Sequence, residues 1–390
     1  MNWDDKISKN VQAIKPSGIR KFFDIANQIP GVLSLSIGEP DFAAPDKVCE
    51  AMKASIDARQ TSYTANSGLI ELRQEIAKLF HDRYGVDYDP VDEIMVTVGA
   101  SEGLTMALLA LTEPGDEVII PDPAYVAYPA AVKAAGGVPV FVPTYAKDDF
   151  KVTADALEQV VTPKTKALVM GYPNNPTGTV MTREELLPIA EFVKKHDLIV
   201  MSDEIYCELV YGDTKFTSFA NLPDMRERTI VLNGFSKAYA MTGMRLGYVC
   251  APRDGLANIL KLHQYMIMCA NTQAQYGGIT ALRDCAADVE SMRQEYDARR
   301  KVIYKGLVDM GLPVFEPKGA FYIFPDISCT GMNSEEFCEK LVKEEKVAVV
   351  PGTAFGACGE NHVRISYAAS METIKEALKR MARFVEKYRK

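Results

Sequence analysis

The sequence predicts an α/β protein: a large domain built on a mostly parallel mixed sheet sandwiched by helices, joined to a smaller α+β domain made from the N- and C-terminal segments. Three observations carry this expectation. Short β-branched runs alternate with stretches of helical periodicity through the first three quarters of the chain, the pattern of crossover units. The last quarter changes character, to one long charged helix followed by short strands and a terminal helix. The 390 residues suffice for two or three domains at roughly 100–200 residues each, and no Ser/Gly linker, repeat or low-complexity tract separates the parts.

The elements follow in order. Leu72, Ile76, Leu79 and Phe80 stand at helical spacing between Leu69 and Tyr84, and Gly85 fits a helix stop. Ile94 to Val98 reads as a buried strand, followed after Gly99 by a helix to Leu111. Strand Glu117 to Ile120, a helix near Tyr128 to Ala135 and strand Val138 to Val142 come next. Further strands are expected at Ala167 to Gly171, Leu198 to Ser202, Thr229 to Asn233 and Leu246 to Cys250, with a helix at Arg183 to Lys195. The tail reads as a helix over about 285–310, strands around Phe321 to Phe324, Val347 to Val350 and Val363 to Tyr367, and a helix from Met371 to Tyr388. The expected division is residues 40–284 for the large domain, and 1–39 with 285–390 for the small one.

Composition excludes several classes. Forty-four Lys and Arg against 52 Asp and Glu give a net charge of −8, the wrong sign for a surface that coats nucleic acid. The eight Cys are scattered singly with no Cys-X-X-Cys pair, which supports neither a zinc nor a dithiol site and fits reduced thiols in the cytoplasm. The four His are far apart, so no metal site is expected. The polar start MNWDDKISKN lacks a signal-peptide core, and no apolar run approaches the roughly 18 residues of a membrane span. Gly99-X-X-X-Gly103 and Gly243-X-X-X-Gly247 are not the Gly-X-Gly-X-X-Gly dinucleotide fingerprint.

Chemistry concentrates just after strands. Lys237 follows the strand ending at Asn233, at the carboxyl edge where open α/β sheets bind ligands. Alone it would pass for a solvated surface lysine, but eight positions on Arg245 sits between Gly243 and Gly247, a candidate anion clamp. Asp203 ends an apolar strand, where an Asp either caps a turn or faces a cation. Tyr172-Pro173-Asn174-Asn175-Pro176-Thr177-Gly178 is a loop whatever its function, and Pro176 aims Asn175 rigidly. Val98-Gly99-Ala100-Ser101-Glu102 runs from strand into helix, so the amides of Ala100, Ser101 and Glu102 open an anion site at a helix N-terminus.

Taken together, SKXXXXXGXRXGY at 236–248, DEXY at 203–206, NPTG at 175–178 and GEPDF at 38–42 resemble the class I, fold type I aminotransferases, in the right order and over nearly the whole chain. The resemblance implies pyridoxal 5′-phosphate as cofactor. It makes Lys237 the residue that holds the cofactor aldehyde and then shuttles the substrate proton, a task suited to an amine whose pKa burial lowers. Asp203 would keep the pyridine nitrogen protonated, which makes the ring an electron sink. Tyr206 and Asn175 would bond the phenolic oxygen, and Tyr125 would stack on the ring. Ser236 and Arg245 would complete the phosphate cradle, joined by Tyr63 of the other subunit, which implies a homodimer with shared active sites. Arg364 would grip the substrate α-carboxylate with Asn175 and the Gly38 amide.

Substrate choice is less sharply written. Some aspartate-preferring members carry a lysine after the phosphate-loop glycine, where this chain has Ala100-Ser101. The segment Pro16 to Phe23 resembles the broader aromatic and alanine-type members, in which it folds over the substrate and puts Ile19 against it; Arg20 reads as a surface residue. The expected reaction is ping-pong transfer from an aromatic, aspartate or alanine-type L-amino acid to a 2-oxo acid, chiefly 2-oxoglutarate. A C–S β-lyase on the same cofactor is the alternative, as is a ligand-sensing regulator, for which GEPDF at residue 38 leaves no room for a leading DNA-binding domain. Asp122-Pro123 and Asn175-Pro176 are expected as cis peptides.

Overall fold

The structure, a computed structural model, describes residues 1–16, 18 and 29–390 of the chain. Its centre is a seven-stranded sheet of β2 (Ile94–Thr97), β3 (Glu117–Asp122), β4 (Val138–Pro143), β5 (Thr165–Gly171), β6 (Ile199–Asp203), β7 (Thr229–Gly234) and β8 (Gly247–Cys250), in the order β2-β8-β7-β6-β5-β3-β4. β1 (Leu33–Ser34) lies outside it. All neighbours pair in parallel except β8, which is antiparallel to both β2 and β7. The fold is therefore α/β with a mostly parallel mixed sheet, as the alternating pattern predicts.

Successive strand residues pack on opposite faces, as the period of two requires. On one face Val169, Met201, Leu232 and Val249 meet the helix Ala100–Leu111 and the helix Arg253–Met266. On the other, Leu168, Met170 and Val200 pack against Ile189 and Phe192 of the helix Arg183–Lys195, while Val231 and Tyr248 pack against Leu72 and Ile76 of the helix Ile70–Leu79. Helix Arg183–Lys195 starts on a capping box, in which Thr182 Oγ1 accepts from the Glu185 amide and the Glu185 carboxylate accepts from the Thr182 amide. The expected helix through Tyr84 ends in a wider turn, Phe80–Tyr84, closed by left-handed Gly85.

A second core is built from Met292, Tyr296 and Ile303 of the helix Ala286–Asp309, Phe337 and Leu341 of Ser334–Glu345, and Phe384 of Met371–Tyr388. It covers a three-stranded antiparallel sheet, in which β12 (Val363–Ser366) lies between β11 (Val350–Pro351) and β9 (Tyr322–Ile323). β1 pairs in parallel with β10 (Val347–Ala348), which ties the N-terminal segment to the C-terminal part. The single strand expected over 347–350 is thus two short strands in different sheets. Leu209 and Tyr211, from the middle of the chain, also enter this core.

Among the described residues, four helices of twelve or more residues escape the sequence reading, Asp46–Asp57, Arg253–Met266, Thr272–Asp284 and Ser334–Glu345, as do the short helices Lys9–Gln12 and Ala154–Glu158. For the helix Thr272–Asp284 the reason is visible. Gly277 and Gly278 weaken its helical signal, yet the packing demands them, since a Cβ at Gly277 would stand 2.9 Å from Met52 Cγ and one at Gly278 2.6 Å from Leu246 Cδ2. The cis expectation is half corrected. Asp122-Pro123 is cis, but the second cis bond is Tyr172-Pro173, where the chain leaves β5, and not Asn175-Pro176.

Replacing Thr182 by Ala should lower stability by about 1 kcal/mol through loss of the cap, read as a lower urea midpoint. An unchanged midpoint would show that the capping box contributes nothing to the fold.

Candidate active site

The parallel strands all end on one edge of the sheet, and antiparallel β8 begins there. Register pairs Gly247 with Thr97 of β2 and with Gly234 of β7, so Arg245, Gly99 and Lys237 arrive at the same edge from three separate segments. Gly99 and Gly247 fit because neither has a side chain: a Cβ on Gly247 would lie 2.6 Å from the Ala100 nitrogen, and one on Gly99 2.8 Å from Arg245 Nη2. Arg245 itself takes the left-handed conformation, φ 53°, with Nη1 donating to the Thr242 carbonyl at 3.1 Å.

A cavity of about 350 Å³ opens at this edge. Of the expected residues it is lined by Gly38, Ala100, Ser101, Tyr125, Asn175, Asp203, Tyr206, Ser236, Lys237, Arg245 and Arg364. Glu102 and Tyr63 fall elsewhere. Glu102 is not in the lining: its amide donates to the Gly99 carbonyl at 3.2 Å and its carboxylate turns inward, so it offers the cavity no donor. Tyr63 is 80% exposed on the surface. Ile19, like Arg20, lies outside the described residues.

Electrostatics set the properties of these groups. Lys237 Nζ donates to the Gly38 carbonyl at 2.7 Å and lies 5.8 Å from the ring centres of Tyr206 and Phe321. Burial is the largest influence on it and brings its pKa down to about 8, with Arg364 and Arg245 pushing the same way and the carboxylates of Glu39 and Asp203 opposing. Asp203 is raised above the usual carboxylate range by burial, opposed by the Tyr128 hydroxyl, which donates to Oδ2 at 2.7 Å, and by the Ile205 amide at 3.2 Å.

Arg364 is 2% exposed, and no carboxylate among the described residues pairs with it. Its Nη1 donates to Asn175 Oδ1 at 3.1 Å and Nη2 to the Ser36 carbonyl at 2.5 Å, while the guanidinium lies 4.6 Å from the Tyr322 ring centre and 4.9 Å from that of Phe355. Nε has no partner among the described residues. Tyr322 also bonds the Tyr206 hydroxyl at 2.7 Å.

Sequence reasoning missed Tyr128, Tyr322, Glu39 and Thr242, all in the lining. Glu39 stood inside a recognised motif, beside Gly38, and was readable there; the Thr242 hydroxyl bonds it. Tyr128 and Tyr322 sit in ordinary helix and strand patterns with no local signal.

The Lys237 amine should react with an amine-acylating reagent with a midpoint near pH 8, measured by mass spectrometry of its peptide. Because the Glu39 charge raises that pKa, Glu39→Gln should move the midpoint lower. A midpoint at the ordinary lysine value in both proteins would contradict the electrostatic account.

Comparison with known proteins supplies the family. The family described as aminotransferase class I and II matches residues 30–381. The chain is 52% identical over 381 residues to a putative aminotransferase, YugH, of Bacillus subtilis, covering 98% of each chain. It is 49% identical to an aspartate aminotransferase of Pyrococcus abyssi, covering 96% of this chain and 97% of that one. A solved structure of an aromatic aminotransferase from Pyrococcus horikoshii superposes with a TM-score of 0.90 at 48% identity, over 94% of this chain and 99% of the other. With its whole architecture and nearly its whole length shared with such relatives, the chain belongs to the class I and II aminotransferases and is an enzyme that transfers amino groups.

Proposed function

We propose that the enzyme moves the amino group of an aromatic, aspartate or alanine-type L-amino acid to a 2-oxo acid, chiefly 2-oxoglutarate, in two half-reactions at the cavity holding Lys237. The observation that carries this is the presence in one cavity of a half-buried amine of lowered pKa and a buried guanidinium that has no carboxylate partner among the described residues. An α-amino acid brings the matching amine and carboxylate. Relatives named for aspartate and for aromatic substrates support a broad donor range and favour neither the lyase nor the regulator.

The residues fit pyridoxal 5′-phosphate. The glycine-lined corner at Gly99 and Gly247, with the Ala100 and Ser101 amides, Ser236 and Arg245, suits its phosphate. Asp203, steadied by Tyr128, suits a protonated ring nitrogen; Tyr125 suits the ring face, and Tyr206 and Asn175 the phenolic oxygen. When bound, the cofactor supplies a carbonyl to carry the amino group and a cationic ring to accept the electron pair of the broken Cα–H bond.

The chain's own residues do the rest. Arg364 holds the substrate α-carboxylate in a bidentate pair, aided by Asn175 and the Gly38 amide. Lys237, as a free amine, would take the proton from the substrate Cα and deliver it to the cofactor carbon that carries the nitrogen, a role matched to a pKa of about 8. Ile19 and its segment would cover the substrate side chain.

The proposal includes a homodimer in the cytoplasm, with Tyr63 of each subunit reaching the other's phosphate. Support comes from large side chains left exposed on two segments that meet through the Asn66 Nδ2 to Met268 carbonyl bond at 2.9 Å, Tyr63 at 80% and Tyr265 at 87%. All eight cysteines are free, and no helix among the described residues is long and apolar enough to cross a membrane. Residues 40–284 would form the cofactor domain, and 1–39 with 285–390 the domain that carries Arg364.

Lys237→Ala should lose the near-visible absorbance of bound cofactor and nearly all turnover. In the wild type, single-turnover loss of that band against twenty amino acids should be fastest with aromatic, aspartate or alanine-type donors. An unchanged spectrum in the variant, or no response to any amino acid, would overturn the proposal.

A further inference from the structure

The phosphate corner rests on a buried pair that the transfer reaction does not use. Glu102 stands in the first turn of the helix Ala100–Leu111 with its side chain 7% exposed, and His263, from the helix Arg253–Met266, is fully buried against it. Their contact, His263 Nδ1 to Glu102 Oε1, measures 2.6 Å. The other carboxylate oxygen accepts the Val98 amide at 2.5 Å. With Nδ1–H as the donor, Nε2 is left as a bare acceptor, and it has no partner among the described residues.

These bonds fix the loop from within. Gly99 O accepts both the Thr97 hydroxyl at 3.0 Å and the Glu102 amide at 3.2 Å, and Val98 N–H is held by Glu102. The amides of Ala100 and Ser101 are left as the first-turn donors at the cavity. A carboxylate held by one amide alone could rotate away, whereas one held on both oxygens cannot turn without breaking a charge-assisted bond.

We propose that His263 is a positioning residue for the cofactor phosphate: by holding Glu102 on the Val98 amide, it keeps the Ala100 and Ser101 amides aimed at the bound anion. This rests on the reading of the Gly99–Arg245 corner as the phosphate site. The pair touches neither the amine nor the carboxylate end of the cavity, so its influence is confined to ligands that carry the phosphate.

The test is equilibrium dialysis of the full-length, cofactor-free chain against pyridoxal phosphate and against pyridoxal, which lacks the phosphate. His263→Ala should weaken pyridoxal phosphate binding about tenfold and leave pyridoxal binding unchanged, with His263→Gln, which can donate again, restoring most of the loss. Adding His263→Ala to Glu102→Ala should cause no further loss, because the two act as one unit. Equal weakening of both ligands, or no weakening of either, would overturn the proposal. If His263→Ala does not fold, Glu102→Gln, which keeps the shape but surrenders one acceptor, carries the same comparison. Wild-type protein that binds the two ligands equally would instead overturn the phosphate assignment itself.

Discussion

A guanidinium buried with no carboxylate partner among the described residues is the constraint around which this molecule is arranged. Removing a charge from water costs several kcal/mol even after relaxation, and Arg364 recovers part of that through Asn175, the Ser36 carbonyl and two aromatic faces. Holding those partners in place requires β12 to be pinned on both sides by β9 and β11 and backed by the core around Tyr322 and Ile365. Such a group is an inefficient way to stabilise a fold and well suited to pair with a carboxylate, since its own desolvation is already met on folding.

The same logic reconciles local with global charge. A chain of net charge −8 would be expected to repel anions, yet Lys237, Arg245 and Arg364 meet at one cavity. Topology does this. Reversal of β8 brings Arg245, two residues before its first strand position, to the carboxyl edge of its parallel neighbours, so a cation delivered by an antiparallel strand joins groups delivered by parallel ones. The long-range field stays acidic while the desolvated pocket stays basic, since burial strengthens near interactions far more than distant ones.

Much of this was legible in the sequence, and the unreadable remainder has a common cause. Lys237, Asp203, Asn175 and Arg245 lie at or just beyond strand ends within recognisable local motifs, whereas Arg364, inside β12, was picked out only by the family resemblance. Tyr128 acts on Asp203 across 75 residues, Tyr322 on Tyr206 across 116, and His263 on Glu102 across 161. Nothing near those residues in sequence records the partner. Glu102 was expected to present its amide because it is third in the helix, but the tight turn at Gly99 consumes that donor. The loop after β5 contains two prolines, and only the packed structure decides that Pro173 carries the cis bond. The helix Thr272–Asp284 was missed because Gly277 and Gly278, which permit its close packing, weaken the helical signal.

The central claim is that the cavity exchanges an amino group between two oxo acids rather than eliminating it. It is tested most directly by giving stoichiometric, cofactor-loaded enzyme a ¹⁵N-labelled L-amino acid without any acceptor and following nitrogen by mass balance. The account predicts one equivalent of 2-oxo acid per active site, no ammonia, and transfer of the label to 2-oxoglutarate when that acid is added. Continued release of labelled ammonia and oxo acid without an acceptor would contradict it.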